Sequence, residues 1–262
     1  MRKLIVVLTG LGIMFCAVTA HALEVGEQEV NITVSETYVS RYVWRGQDLF
    51  PDNDGAHQPS IDITAPDLIF GKDVSLNIWG SFATGSGHVD TEELDYTLSF
   101  TKDYLDGAVT ISEGYTFFHF PNTSRTADVQ EPWLSVSLNE IPKLPIAVSM
   151  NVFAGYDFKV DPDGPNEGWY YSWGFGTDIP LPEWEIFQED QALSVGITNW
   201  GNDGVADLKS SALYATDYVL STSYAFGDMS ISPSFNYTAN YEDAINAGDD
   251  EIWGGVEVSY VF

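Results

Sequence analysis

The end of the chain constrains the fold more than any other stretch, because the last twelve residues, 251–262, alternate between two kinds of side chain. The positions that step by two from Ile252 to Phe262 are apolar or glycine, and those between them are mostly polar. Since successive side chains of a strand point to opposite sides, such a segment separates an apolar environment from a watery one. The pattern predicts a wall strand with lipid outside and water inside.

The same alternation recurs along the chain in segments of about ten residues, which turn clusters separate. The predicted strands are 30–46, 57–66, 73–84, 91–104, 107–120, 129–139, 145–158, 167–178, 191–200, 212–226, 228–241 and 250–262. We therefore expect an all-β protein: an antiparallel transmembrane β-barrel of about 12 strands, an even count with both termini in the periplasm. Short or proline-marked links after even strands, and longer acidic links after odd strands, agree with that topology.

A soluble lectin-like sandwich would also alternate, but it would bury its apolar face and would not need aromatic residues at strand ends. In this chain aromatic residues do lie near the predicted strand ends, as the interface girdles of a membrane barrel require. They are Trp44, Tyr104, Trp133, Trp169, Trp184, Tyr241 and Trp253.

The start of the chain has the three parts of a secretory signal peptide. Basic Arg2 and Lys3 precede a short apolar run, and Ala20-His21-Ala22 forms a small-residue cleavage site. The apolar run is too short for a membrane anchor. We expect residues 1–22 to be a signal peptide and residues 23–262 to be an outer-membrane β-barrel. The chain's one cysteine, Cys16, would leave with the signal peptide.

The chain is strongly acidic, with 10 basic against 39 acidic residues and a formal net charge of −29. Such a field repels nucleic acid and attracts cations. The alternative is an acidic surface that serves solubility in a salt-adapted protein. We expect the partners to be the lipid bilayer of the outer membrane and small solutes or cations, and no nucleic acid.

Two stretches resemble known outer-membrane proteins. Residues 38–46, which end in Ser40-Arg-Tyr-Val-Trp-Arg-Gly46, resemble the S-x-Y-V-x-R-G opening of the TorF-like family of outer-membrane porins. This resemblance implies an outer-membrane barrel with pore activity and brings no catalytic residues. Phe262, with Tyr260 two positions earlier, resembles the terminal strand signal that the barrel assembly machinery recognises, and implies that machinery as a partner.

Two arginines in the first predicted strand point to the lumen. Arg41 and Arg45 are four residues apart and share a face, opposite Tyr38, Tyr42 and Trp44. An arginine in lipid would cost roughly 2–4 kcal/mol near the midplane, so that face must be inside. By the same alternation, five carboxylates point inward: Asp62, Asp95, Asp157, Asp217 and Glu257.

The role of the arginines has two interpretations. Either they pair with these carboxylates and brace the wall, or they form a constriction opposite an acidic wall. Glu36 and Glu113 fall on the outward face of the predicted register. We expect a bulge in those strands or an error in the register there.

Signals for metal binding and catalysis are weak. The segments 52–55 and 161–164 look like calcium loops, but neither continues to a glutamate at the twelfth position, so we expect polar turns. His119 with Ser124 is the one close pair that a lipid hydrolase could use, and its spacing matches no hydrolase motif. We expect no metal, no cofactor and no enzyme activity.

Two classes of function remain. The first is a porin-like diffusion channel for small solutes that prefers cations. The alternative is a closed-lumen barrel whose acidic extracellular loops bind cations or surface partners, as an adhesin or structural protein. Twelve strands lie between the filled eight-stranded barrels and the open sixteen-stranded ones, so strand number does not decide.

Overall fold

The computed structural model describes residues 23–25, 28–50, 54–85, 87–144, 146–182, 191–205, 208, 210–242 and 246–262. Twelve long strands form its wall: β1 Gln28–Val39, β2 Ala56–Ile69, β3 Lys72–Ala83, β4 Glu93–Tyr104, β5 Val109–His119, β6 Val129–Leu138, β7 Ser149–Lys159, β8 Gly168–Pro180, β9 Ala192–Asn202, β10 Ser211–Ser221, β11 Met229–Asn240 and β12 Glu251–Val261. The predicted signal peptide, residues 1–22, lies outside the described residues.

The sheet closes on itself. Every strand pairs antiparallel with its neighbours in sequence, and β12 pairs with β1, for example Val256 with Tyr38. The short segment Leu23–Val25 folds back on the start of β1. The prediction of a 12-stranded antiparallel barrel is confirmed. No helix in the described part of the chain is long and apolar enough to cross a membrane.

The two ends of the barrel differ. The start of β1 and the end of β12 lie at one end, where Val261 pairs with Thr33, together with the connections 70–71, 105–108, 139–148, 181–191 and 222–228. We call this the turn end. The other end, which we call the loop end, holds the connections 40–55, 84–92, 120–128, 160–167, 203–210 and 241–250.

The wall is apolar outside and polar inside, as the alternation predicts. Outward residues such as Ile61, Leu98 and Phe235 are 43%, 43% and 52% exposed. Inward polar side chains bond across neighbouring strands: Thr97 with Thr116 at 2.9 Å, for example. A soluble protein rarely exposes an apolar surface of this extent, whereas a membrane barrel presents it to lipid.

Two predicted strands are too long, and the other strand ends lie within four residues of the prediction. The first strand ends at Val39, not at residue 46. The tenth ends at Ser221, and Tyr224–Phe226 pairs separately with β11. Pro233 of β11 explains this break. Its carbonyl accepts from Thr222 N at 3.3 Å, but the proline nitrogen has no proton to donate in return. The hydrogen-bond ladder between β10 and β11 therefore stops there.

Candidate functional site in the barrel lumen

After β1 the chain folds into the barrel instead of extending outward. Residues 40–50, which we call the inward loop, contain a small hairpin that pairs Val43–Trp44 with Gln47–Asp48. Its turn residues, Arg45 and Gly46, have φ of 49° and 80°, and positive values at both positions are what a tight two-residue hairpin requires. All the quoted residues of the S-x-Y-V-x-R-G motif therefore lie in this loop. The expectation that they form a strand is wrong.

Arg45 anchors the tip of the inward loop to the opposite wall. Its two terminal nitrogens donate to the Glu131 carboxylate at 2.6 and 2.8 Å, and both side chains are buried. A bidentate pair of this kind fixes orientation as well as charge. Burial opposes the charged guanidinium, but the Glu131 carboxylate outweighs it and raises the pKa of Arg45. The Asp157 carboxylate acts in the same direction.

Aromatic rings enclose the same guanidinium. Its central carbon lies 4.2 Å from the ring centre of Trp44, 4.7 Å from Tyr170, 5.1 Å from Phe153 and 5.7 Å from Trp200. Each distance is within the range of a cation–π contact. Arg45 therefore occupies a cage with rings on several sides and a carboxylate at its end.

Glycines make this close packing possible. A Cβ on Gly46 would lie 2.4 Å from the Ala215 Cβ, and a Cβ on Gly155 would lie 2.5 Å from the Glu131 carboxyl carbon. The first glycine lets the loop tip touch β10. The second leaves room on β7 for the Glu131 side chain.

Further hydrogen bonds attach the inward loop on several sides. The Tyr214 hydroxyl donates to the Arg45 carbonyl at 2.8 Å, and the Asn246 amide donates to the Gly46 carbonyl at 3.0 Å. The Gln47 amide donates to the Tyr170 hydroxyl at 3.2 Å. Since these partners come from β8, β10 and the 241–250 connection, the loop crosses the interior.

The base of the inward loop is attached close to β1. Arg41 forms an ion pair with Glu251 and lies 3.7 Å from the Asp48 carboxylate. The Tyr42 hydroxyl donates to Glu93 at 2.7 Å. Burial, and then the charge of Glu93, raise the pKa of Tyr42 well above its ordinary value, so this hydroxyl keeps its proton. Both predicted lumen arginines are thus paired, but they lie in a loop and not on a strand face.

The five carboxylates predicted to face the lumen do lie inside, in different surroundings. Asp217 accepts from the Trp200 indole at 2.7 Å and the Thr238 hydroxyl at 2.6 Å. Asp62 accepts from Thr64 at 2.9 Å and Asn77 at 3.3 Å, and Glu257 accepts from Thr37 at 3.4 Å. Asp95 and Asp157 are buried, and one oxygen of each accepts no hydrogen bond from the described residues. Their role in selectivity stays a prediction.

Sequence reasoning missed Glu93, Glu131 and Glu251, the partners of Tyr42, Arg45 and Arg41. A signal was present, because Glu131 alternates with the outward residues Pro132 and Leu134. The period of two would have placed it inside.

A cavity of about 290 Å³ lies beside the inward loop, between it and the wall formed by β3 to β7. Its lining includes Arg45 and Glu131 from the anchor, together with Asp95, Trp79 and Trp133. This is the part of the interior that the loop leaves unfilled on that side.

Glu36 and Glu113 face outward without any bulge, so the expected register problem is wrong. Their strands pair continuously with both neighbours. Each glutamate instead has an outward-facing basic partner, His57 at 2.9 Å for Glu36 and Lys72 at 2.5 Å for Glu113.

The predicted aromatic girdle is partly wrong. Trp44 and Trp133 line the cavity inside the barrel, and Trp253 packs against the buried cluster that includes Val39. Tyr104, Trp169 and Tyr241 are exposed, as a girdle requires. Trp184 lies outside the described residues.

The weak catalytic and calcium signals acquire ordinary structural partners. His119 bonds to Asp128 at 3.0 Å, whereas Ser124 bonds to Thr126. In the segment 161–164, the Asp161 carboxylate accepts from the Asp163 backbone at 3.0 Å, as in a polar turn. Residues 52 and 53 of the other segment lie outside the described residues.

Comparison with known proteins bears on the fold. No protein-family model and no curated protein sequence matches the chain. The COG4313 outer membrane channel from Pseudomonas putida F1 superimposes with a TM-score of 0.55 at 10% identity, over 94% of this chain and 100% of that one. The chain therefore has the fold of an outer-membrane β-barrel.

The KdgM porin superimposes with a TM-score of 0.51 at 11% identity, over 88% of this chain and 99% of that one. Identities this low show a common fold and nothing about solutes. The resemblance to the TorF-like family stays a prediction.

Proposed function

We propose that the protein is an outer-membrane diffusion channel for small solutes, that it prefers cations, and that the inward loop is its constriction. The observation that carries the proposal is the inverted wall: the barrel has apolar side chains outside and a polar, acidic interior where a soluble barrel would have its core. Such an interior holds water and solutes.

The charge of the interior supports the preference for cations. Arg41 and Arg45 are each paired with a carboxylate, which cancels their charge. Further carboxylates remain along the wall, namely Asp62, Asp95, Asp157, Asp217 and Glu257. Rings of carboxylates favour cations in a narrow pore, and the acidic loops at one end would concentrate cations within roughly 10 Å of the mouth at 0.1 M salt.

Reversal potentials across a planar bilayer test this proposal. In a gradient of potassium chloride we expect a cation-selective potential that shrinks as salt is raised, because exposed charges are screened. The double variant Asp62→Asn with Glu257→Gln should lower the selectivity. Glu36→Gln is the matched control, since it removes a charge from the outer face and should leave the potential unchanged. An anion-selective pore would contradict the preference for cations.

A second candidate is the closed-lumen barrel that displays acidic loops. The inward loop supports this candidate because it is attached on two sides of the interior and so blocks part of it. Its tip contacts Glu131 on β6 and Ala215 on β10. A protein that inserts into the bilayer as a folded barrel and conducts no ions would support this candidate over the channel.

A further inference from the structure

The cavity beside the inward loop has the size and lining of a small ligand site. Its volume of about 290 Å³ is just below that of drug-sized ligand pockets, which span about 300–1,000 Å³, and suits a smaller molecule. Aromatic rings form much of its wall, with Trp79, Phe118 and Trp133 among them. The hydroxyls of Thr97 and Thr116 and the carboxylate of Asp95 supply polar groups.

Asp95 is a buried carboxylate without enough partners. It is 8% exposed, and its Oδ1 accepts no hydrogen bond within the described chain. The neighbouring Glu93 shares a hydrogen bond with Asp95 and adds negative charge beside it, and the Arg45 guanidinium at the cavity edge offsets only part of that charge. Buried carboxylates are costly unless a hydrogen bond or an opposite charge compensates them. A positive charge in the cavity would provide that compensation.

The inward loop shows which cation this wall suits. Arg45 places a guanidinium between a carboxylate and several aromatic rings at the edge of the same cavity. Asp95 and its cross-strand neighbour Trp79, together with Trp133, also place a carboxylate beside aromatic rings in this cavity. Arg45 is the one basic residue of the described chain that lines the cavity, and Glu131 already holds its guanidinium. Rings favour weakly hydrated organic cations, since the contact is strongest when the cation gives up its water.

We propose that this cavity binds a small organic cation, an ammonium or guanidinium compound, with its charged group against Asp95 and its carbon atoms against the rings. The inference rests on the proposed channel function in treating this compound as a transported solute. Binding itself is independent of conduction and can be measured without a membrane gradient.

Calorimetric titration of the mature protein in detergent micelles tests the site, with ethylammonium chloride as the probe and sodium chloride at equal ionic strength as the reference. We expect saturable binding of ethylammonium at one site and none of sodium. Asp95→Asn should weaken the affinity at least about tenfold, because it removes the charge and keeps the shape. Asp178→Asn, at an exposed position near the turn end, is the matched control and should bind like the unchanged protein.

Trp79→Leu tests the aromatic half of the site and decides the matter if Asp95→Asn does not fold. It should weaken ethylammonium binding as well. Equal heats for the two salts, or unchanged affinity in both cavity variants, would overturn the proposal.

The two proposals fail separately. A channel that conducts potassium but shows no ethylammonium binding in micelles would overturn this site and leave the channel intact. Ethylammonium binding that Asp95→Asn abolishes, in a protein that does not conduct, would support the site and overturn the channel.

Discussion

Arg45 holds the inward loop across the lumen through its ion pair with Glu131. Removing one partner of this pair should cost more stability than replacing both. Replacing both partners of a buried ion pair with apolar residues is often neutral, whereas removing one partner leaves a buried charge unpaired. A variant that removes only Glu131 therefore measures how much this pair stabilises the loop.

We predict that Glu131→Met lowers the free energy of unfolding by about 3 kcal/mol, the low end for a broken buried pair because Asp157 still faces the guanidinium. The double variant Arg45→Met with Glu131→Met should lose less. Urea titration of the protein in lipid vesicles measures both. Glu36→Met breaks the half-exposed pair with His57 and should cost about 1 kcal/mol or less. A single variant at position 131 as stable as the unchanged protein would refute the anchoring role.

Gly46 is a second test at this scale. We predict that Gly46→Ala loosens the inward loop, because alanine at positive φ costs about 1–2 kcal/mol and the new Cβ meets Ala215. Trypsin, which cleaves after Arg41 and Arg45 once they are accessible, should then cut the folded protein faster. Adding Ala215→Gly removes the collision but not the backbone cost, so it should restore only part of the protection. Equal cleavage rates in all the variants would contradict this account.

Among the elements, the wall strands could be predicted from the sequence and the inward loop could not. A wall strand is specified locally, since each residue needs only the correct face, and the period of two gives that face. The sequence of the inward loop continues the same period through Tyr42 and Trp44, so the pattern predicts a longer first strand. What turns it inward is Arg45-Gly46 at positive φ and a partner, Glu131, that lies 86 residues away in sequence.

The lumen carboxylates show the same division. The period of two placed Asp62 and Asp217 on the inner face, because that is a property of their own strands. It could not show that Asp217 has two hydrogen-bond donors while Asp95 leaves an oxygen unpaired. Such differences depend on neighbouring strands and on the inward loop.

Labelling of intact cells tests the placement of the connections. Because the predicted mature chain has no cysteine, single cysteines can be added at will. We predict that a membrane-impermeant maleimide reaches Asp163→Cys at the loop end and does not reach Lys143→Cys at the turn end. Phe50→Cys should stay protected, since Phe50 is fully buried although the sequence places it in an outer loop. Labelling at position 143 and none at position 163 would contradict the predicted topology.

The last strand should govern assembly. Phe262 N donates to the Ile32 carbonyl at 2.8 Å, and the Phe262 ring packs on Tyr260 at 4.8 Å, where β12 closes the barrel. We predict that deletion of Phe262 slows assembly and lowers the yield of folded barrel in the outer membrane. Deletion of Val25 is the control, because Val25 pairs with Gln28 and not with β12. Unchanged yield after loss of Phe262 would count against the terminal-strand signal.

For the whole molecule, a polar lumen and a loop across it have opposite effects on conduction. The interior wall and its carboxylates favour entry of water and cations, while the inward loop occupies the centre near the loop end. If the loop is a constriction in a conducting pore, its removal should widen the path without altering the wall. If other side chains close the lumen, removal of the inward loop should change the conductance little.

Single-channel conductance of a variant in which residues 41–49 are replaced by a short glycine–serine linker tests this claim most directly. We predict a small, cation-selective conductance in the unchanged protein and one at least severalfold larger in the variant, with both folded as barrels in the same bilayer. Equal conductance in the two proteins, or none in either, would contradict it.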